Sequence, residues 1–227
     1  MSTAVTSPCD PGVIQAVVFD LDGVIVDSEH VWDEVRATYT NESGGQYTER
    51  ATRDMMGMSS LEWSAYMASE LGVPGSPEAI NAAVVERMLE RYGEAPPLIP
   101  GAVEAVHAIA ARWPVAIASS SNPELIDVVL RASGLAVVVR IAVSSEEVAR
   151  GKPAPDVYLE AARRLGVEPS RCAAVEDSHN GIRSAKAAGM RVIAVPNVHF
   201  PPGDDALAEA DVVLASVAEL TPEVVEG

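Results

Sequence analysis

The sequence has only two cysteines, Cys9 and Cys172. They stand far apart and form no CxxC or zinc-type spacing. That excludes a disulfide framework and predicts a reducing, cytoplasmic compartment. Basic runs are also missing. Lysine and arginine number 16 against 33 acidic residues, for a net charge of −17. Such a chain repels nucleic acid and anionic lipid surfaces, so neither is expected as a partner. No stretch reaches the roughly 20 apolar residues of a membrane span. The opening MSTAVTSPCDPG lacks the basic start and apolar core of a signal peptide. There is no internal repeat, no low-complexity tract and no interface pattern, and a monomer is expected. The acidity carries one functional demand: an anionic substrate has to meet a local positive centre, such as a metal or a lysine.

What is present is the balance of a soluble globular protein, with 48% hydrophobic and 22% charged residues over 227 positions. Short β-branched runs alternate with alanine-rich helical patterns. The runs are Ala16–Phe19, Val115–Ala118, Val137–Val139, Ala173–Val175, Val192–Val195 and Val212–Leu214. They are apolar at consecutive positions, the pattern of strands buried on both faces of a parallel sheet. Helices are predicted over Ala102–Arg112, Glu124–Ser133, Pro155–Leu165 and Gly181–Ala188. A Pro or capping residue opens each, and Gly134, Gly166 and Gly189 follow the last three. Strand–helix alternation predicts a doubly wound α/β domain.

Residues 29–98 break this rhythm. They hold no β-branched run but carry Trp32, Tyr39, Tyr47, Trp63, Tyr66 and Tyr92, with breaks at Gly44-Gly45, Gly57 and Val73-Pro74-Gly75. They read as an all-helical insertion after the first strand. The expected organisation is therefore a core of residues 1–28 and 99–227 with a helical cap over 29–98.

Ligands of α/β sheets bind at the carboxyl ends of strands, so the polar residues that follow the runs are the candidates. After the first run stand Asp20 and Asp22. Two carboxylates one residue apart can divide labour, one attacking and the other moving a proton; Asx-turn and capping roles are the alternative. A calcium loop is excluded because Val24, Ile25 and Val26 occupy its ligand positions. After the second run come Ser119, Ser120, Ser121 and Asn122, which suit a phosphate or a helix N-cap. After the fourth come Glu176 and Asp177, which suit either a magnesium ion or an N-cap. Lys152, framed by Pro153 and Pro155, can neutralise phosphate oxygens or simply be solvated. His179 can touch a substrate or cap a helix. His30, His107 and His199 have no metal-ligand spacing.

The order and strand placement of these motifs resemble the haloacid-dehalogenase-like hydrolases. Asp20-Leu21-Asp22-Gly23-Val24 is similar to their first motif and Ser119 to the second. Lys152 matches the third and Glu176-Asp177-Ser178 the fourth. Asp27-Ser28-Glu29, Gly151-Lys152-Pro153-Ala154-Pro155-Asp156 and Glu176–Gly181 place the resemblance in the beta-phosphoglucomutase-like and sugar-phosphate phosphatase branch. The resemblance implies a Rossmann-like sheet under a cap. It also implies magnesium-dependent hydrolysis of a small phosphorylated metabolite, such as a sugar phosphate, through an aspartyl-phosphate. Asp20 would be the nucleophile and Asp22 the acid and base. Ser119, Ser120 and Lys152 would bind phosphate, with Asn122 and His179 contacting substrate. The metal would be held by Asp20, the Asp22 main-chain carbonyl, Asp177 and Glu176, the last directly or through water. Metal-free dehalogenase chemistry is disfavoured by Asp22 and the Glu176-Asp177 pair. A sugar phosphomutase is the next reading. It departs at Trp32, where the mutases carry a histidine, and near Ser60, where they carry a phosphate-anchoring arginine, leaving Arg50 or Arg53 as substitutes. A non-catalytic binding protein on the same scaffold is disfavoured because no motif residue is missing.

Overall fold

The computed structural model describes residues 13–55, 58–198 and 200–227. Cys9 with the rest of the leader, Gly57 and His199 lie outside the described residues. Six strands form one parallel sheet: β1 (Ala16–Phe19), β2 (Val115–Ser119), β3 (Val139–Ser144), β4 (Cys172–Glu176), β5 (Arg191–Ala194) and β6 (Val212–Val213), in the order β3-β2-β1-β4-β5-β6. The chain winds outward from β1 to β3, then crosses back over β1 to β4. This reversal creates a crevice above the carboxyl end of β1. The register aligns Val18 with Ala116 on one side and with Ala174 on the other.

Successive strand residues face opposite sides, and the two sides differ in size. Val17, Phe19, Val115, Ile117, Val175 and Ile193 face a layer rich in large side chains. Ala16, Val18, Ala116, Ala118, Ala174 and Val192 face an alanine-rich layer, where small side chains let helices approach closely. The first layer is covered by α5 (Ala102–Ala110) and α6 (Pro123–Ala132). The second is covered by α7 (Asp156–Leu165) and α8 (His179–Ala187).

Between β1 and α5 the described residues form four helices and no strand: α1 (Glu29–Glu42), α2 (Glu49–Asp54), α3 (Ser60–Ser69) and α4 (Pro77–Glu94). The chain enters and leaves this segment side by side, because Asp27 N–H donates to the Pro97 carbonyl and Ile99 N–H to the Ile25 carbonyl. Trp63, Met67, Ile80, Val84 and Met88 form its buried interior, which is continuous with the sheet's large-residue layer.

The expected strand Val137–Val139 is displaced. Leu135–Val137 forms a 3₁₀ turn and the strand runs from Val139 to Ser144. At this edge the pattern misleads, since Val137 is exposed while the strand that pairs with β2 continues from Val139 through Ile141–Ser144. Helix α8 begins at His179 rather than Gly181, because the Ser178 hydroxyl caps it by accepting from Gly181 N–H. No helix among the described residues is long and apolar enough to cross a membrane.

Candidate active site

The carboxyl ends of β1, β2 and β4 bring their polar residues together. Asp20 follows β1, and its N–H donates to the Val175 carbonyl of β4. Lys152, from the loop before α7, is buried against two carboxylates. Its Nζ donates to Asp20 Oδ1 at 2.9 Å and to Glu176 Oε1 at 2.6 Å. Glu176, fully buried, is saturated: Oε1 also accepts from the Tyr158 hydroxyl at 2.8 Å, and Oε2 accepts from the N–H groups of Asp177 and Ser178 and from the Ser178 hydroxyl. Tyr158 was not singled out from the sequence. It is held six positions after Lys152 by α7, whose inner face is packed under the sheet.

Asp22 is oriented by the serine run. Ser121 Oγ donates to its Oδ2 at 2.7 Å and Ser119 Oγ to the same oxygen at 3.2 Å. Oδ1 is buried without a hydrogen-bond partner. Ser119 is fully buried, whereas Ser120, Ser121 and Asn122 line the cleft where α6 begins. Asn122 is committed at both ends, donating to Glu146 Oε1 at 2.7 Å and accepting from the Ser60 hydroxyl of α3 at 3.3 Å. His179 lines the rim beside Asp205.

Two glycines make this packing possible. A Cβ on Gly23, which has φ of 79°, would stand 1.8 Å from Asp177 Oδ2, and one on Gly181 would stand 1.8 Å from Glu176 Oε1. Both carboxylates therefore lie directly against backbone.

The electrostatics call for a cation. Carboxylate oxygens of Asp20, Glu176 and Asp177 lie within 4.8 Å of one another, all buried. Lys152 offsets one of the three charges. Burial pushes the Asp20 carboxyl up to about 8; Lys152 opposes the shift, and Glu176 and Asp22 add to it. Asp177 is held well above the usual carboxylate range by burial and by Glu176 and Asp20. Burial alone would lower the Lys152 ammonium, but Asp20 and Glu176 outweigh it and hold it above the ordinary lysine value. Asp177 Oδ1 is buried with no partner. An all-oxygen donor set with an orphaned carboxylate oxygen fits a hard divalent cation such as magnesium.

Above this floor the cleft, of about 480 Å³, is walled by the helical segment. Glu29, Trp32 and Arg36 of α1, Arg53 of α2, Met58, and Ser60 and Trp63 of α3 all face it. Trp32 and Trp63 are buried and still contribute to the cleft wall. Glu29 and Arg36 were missed, though Arg36 lies one helical turn after Trp32.

A family model described as haloacid dehalogenase-like hydrolase matches residues 14–189. Hexitol phosphatase B of Escherichia coli K12 is 34% identical over 214 residues, covering 93% of this chain and 96% of that protein. The phosphorylated carbohydrates phosphatase of Thermotoga maritima is 32% identical over 212 residues, covering 92% and 95%. Among solved structures, CbbY from Rhodobacter sphaeroides in complex with phosphate superposes with a TM-score of 0.85 at 27% identity, over 95% of this chain and all of that one. With an aspartate pair after β1, a lysine-bridged acid cluster after β4 and a family match across both, the chain belongs to the haloacid dehalogenase-like hydrolases.

Proposed function

We propose that the protein is a magnesium-dependent phosphatase that removes phosphate from a small phosphorylated metabolite, a sugar phosphate in the first instance. The observation that carries this reading is the buried cluster of Asp20, Lys152, Glu176 and Asp177. Asp20 lies at the foot of the cleft with its Oδ1 fixed by Lys152. It attacks phosphorus, the bond to the ester oxygen breaks, and an aspartyl-phosphate forms on Asp20. Asp22, held by Ser119 and Ser121 with Oδ1 uncommitted, gives its proton to the departing alcohol. It then takes a proton from the water that hydrolyses the aspartyl-phosphate. Lys152 and Ser120 take the phosphoryl charge. Magnesium, held by Asp20, Asp177 and the Asp22 main-chain carbonyl, would neutralise the oxygens of the transferring group. Glu176, whose oxygens are already engaged, acts through water and by positioning Lys152. Residues 29–98 serve as a cap that excludes water and shapes the leaving-group pocket. A hydrolase is favoured over a mutase because the mutase histidine and cap-loop arginine positions hold Trp32 and Ser60 in the cleft wall. The enzyme works as a cytoplasmic monomer.

The test is a phosphate-release screen over sugar phosphates, phosphoglycolate and nucleotides, with and without magnesium. Metal-dependent release from one group of compounds is expected. Asp20→Asn should lower kcat by several orders of magnitude. Retained activity in that variant would refute the assignment of the nucleophile.

A further inference from the structure

Arg36 is a buried charge with no hydrogen-bond or ion-pair partner among the described residues. It is 9% exposed and its guanidinium lies over two indoles that touch each other, their centroids 6.0 Å apart and their planes tilted by 54°; it stands 4.7 Å from the Trp32 centroid and 4.9 Å from that of Trp63. The Nε is buried and makes no hydrogen bond. Among the described residues no hydrogen bond or ion pair reaches any of its nitrogens. Every other arginine of the helical segment is exposed or bonded to a carboxylate; Arg87 and Arg91, for example, pair with Glu42 and Glu34. A buried guanidinium stays protonated, so it needs compensation. The indole faces supply part of it. Glu29 supplies part through space, facing the same cleft without a hydrogen bond to Arg36. The directed donors remain unused, and Arg36 lines the cleft whose floor holds Asp20. Exposed Arg53, also without an ion pair among the described residues, adds a second cation to that wall.

From these observations we infer that Arg36 is the specificity-determining residue of the cleft and binds a second anionic group, a carboxylate or phosphate, at the end of the substrate remote from the scissile phosphate. The inference rests on the phosphatase reading and narrows its substrate class from sugar monophosphates to phosphorylated sugar acids or bisphosphates. The floor, with four carboxylates against one lysine, would repel such a compound. A cation in the opposite wall makes the same compound the one that is complementary to both ends of the cleft. A carboxylate or phosphate matches the planar fork of a guanidinium in two parallel hydrogen bonds, which a neutral hydroxyl cannot do.

The experiment compares matched pairs. Sorbitol 6-phosphate and 6-phosphogluconate differ by a terminal alcohol against a carboxylate; fructose 6-phosphate and fructose 1,6-bisphosphate differ by a second phosphate. In wild-type enzyme kcat/KM is expected to favour at least one anionic member by roughly 10- to 100-fold. Which pair shows the preference identifies the anion. In Arg36→Met, whose side chain still covers the two indoles, the ratio should collapse to near unity. The free Arg36→Met protein should unfold at a higher temperature than wild type, because an uncompensated buried charge has been removed. An unchanged ratio, or a variant that unfolds at a lower temperature, would overturn the inference and assign Arg36 a structural role. Calorimetric titration of the Asp20→Asn variant with the same four compounds keeps this question separate from turnover. Selective binding without phosphate release in wild type would sink the phosphatase reading alone. Release without selective binding would sink this inference alone.

Discussion

Removing magnesium should destabilise the protein, and the size of the effect should depend on pH in a way fixed by the acid cluster. In the metal-free protein burial raises Asp20 from 3.8 to about 8. Between those values the folded protein keeps a proton that the unfolded chain has lost, so stability falls as pH rises. Four pH units at about 1.36 kcal/mol each set a ceiling of about 5–6 kcal/mol. Between pH 5 and pH 7 the loss is about 3 kcal/mol, and Asp177, raised well above its usual range, acts in the same direction. A bound divalent ion displaces these protons and removes the penalty. For a chain of this size 1 kcal/mol corresponds to about 2–4 °C in Tm. The gap in Tm between magnesium-loaded and chelator-treated protein should therefore widen by about 5–10 °C from pH 5 to pH 7. Thermal unfolding at three pH values, with excess magnesium and with chelator, measures it. Parallel curves would refute the argument, since they would mean that no carboxyl of the cluster holds a proton that the metal displaces.

Two further substitutions probe the packing around Glu176. Gly181→Ala places a methyl where the Glu176 carboxylate lies, so Lys152 and Asp20 must shift. Activity should fall about 100-fold with the circular dichroism spectrum unchanged, and near-normal turnover would show that the carboxylate can relocate without cost. Tyr158→Phe leaves Glu176 Oε1 with Lys152 alone. Urea unfolding should report a loss of about 1.5–3 kcal/mol, and an unchanged midpoint would show that the hydroxyl contributes nothing net.

Chemistry that follows a strand directly was legible in the sequence, because a buried parallel strand forces the next polar residue to its carboxyl end. Asp20, Asp22, Ser119, Glu176 and Asp177 stand out that way, and the structure brings Lys152 to the same cluster. Strand β3 was misplaced because it lies at the sheet edge, where burial is partial and the consecutive apolar pattern fades. Tyr158 went unnoticed since a tyrosine on an amphipathic helix reads as ordinary packing, and its hydroxyl finds Glu176 only once α7 is docked beneath the sheet. Arg36 was invisible for a similar reason. Its spacing from Trp32 fits a solvated helix turn as well as a stacked one, and Trp63, the second ring it lies over, comes from another helix.

The position of β1 has a consequence for synthesis on the ribosome. The strand that carries Asp20 emerges first, yet Val18 must wait for Ala116 and then for Ala174 to complete its two neighbours. Until then β1 is an apolar segment without partners, and Asp20 has neither Lys152 nor the acid pair beside it. A chain interrupted before Glu176 thus carries every residue of the first two motifs without the assembled acid cluster. Long-range closure of this kind is slow and leaves exposed strand edges, so nascent and truncated chains should depend on chaperones well after the helices of residues 29–94 have left the exit tunnel.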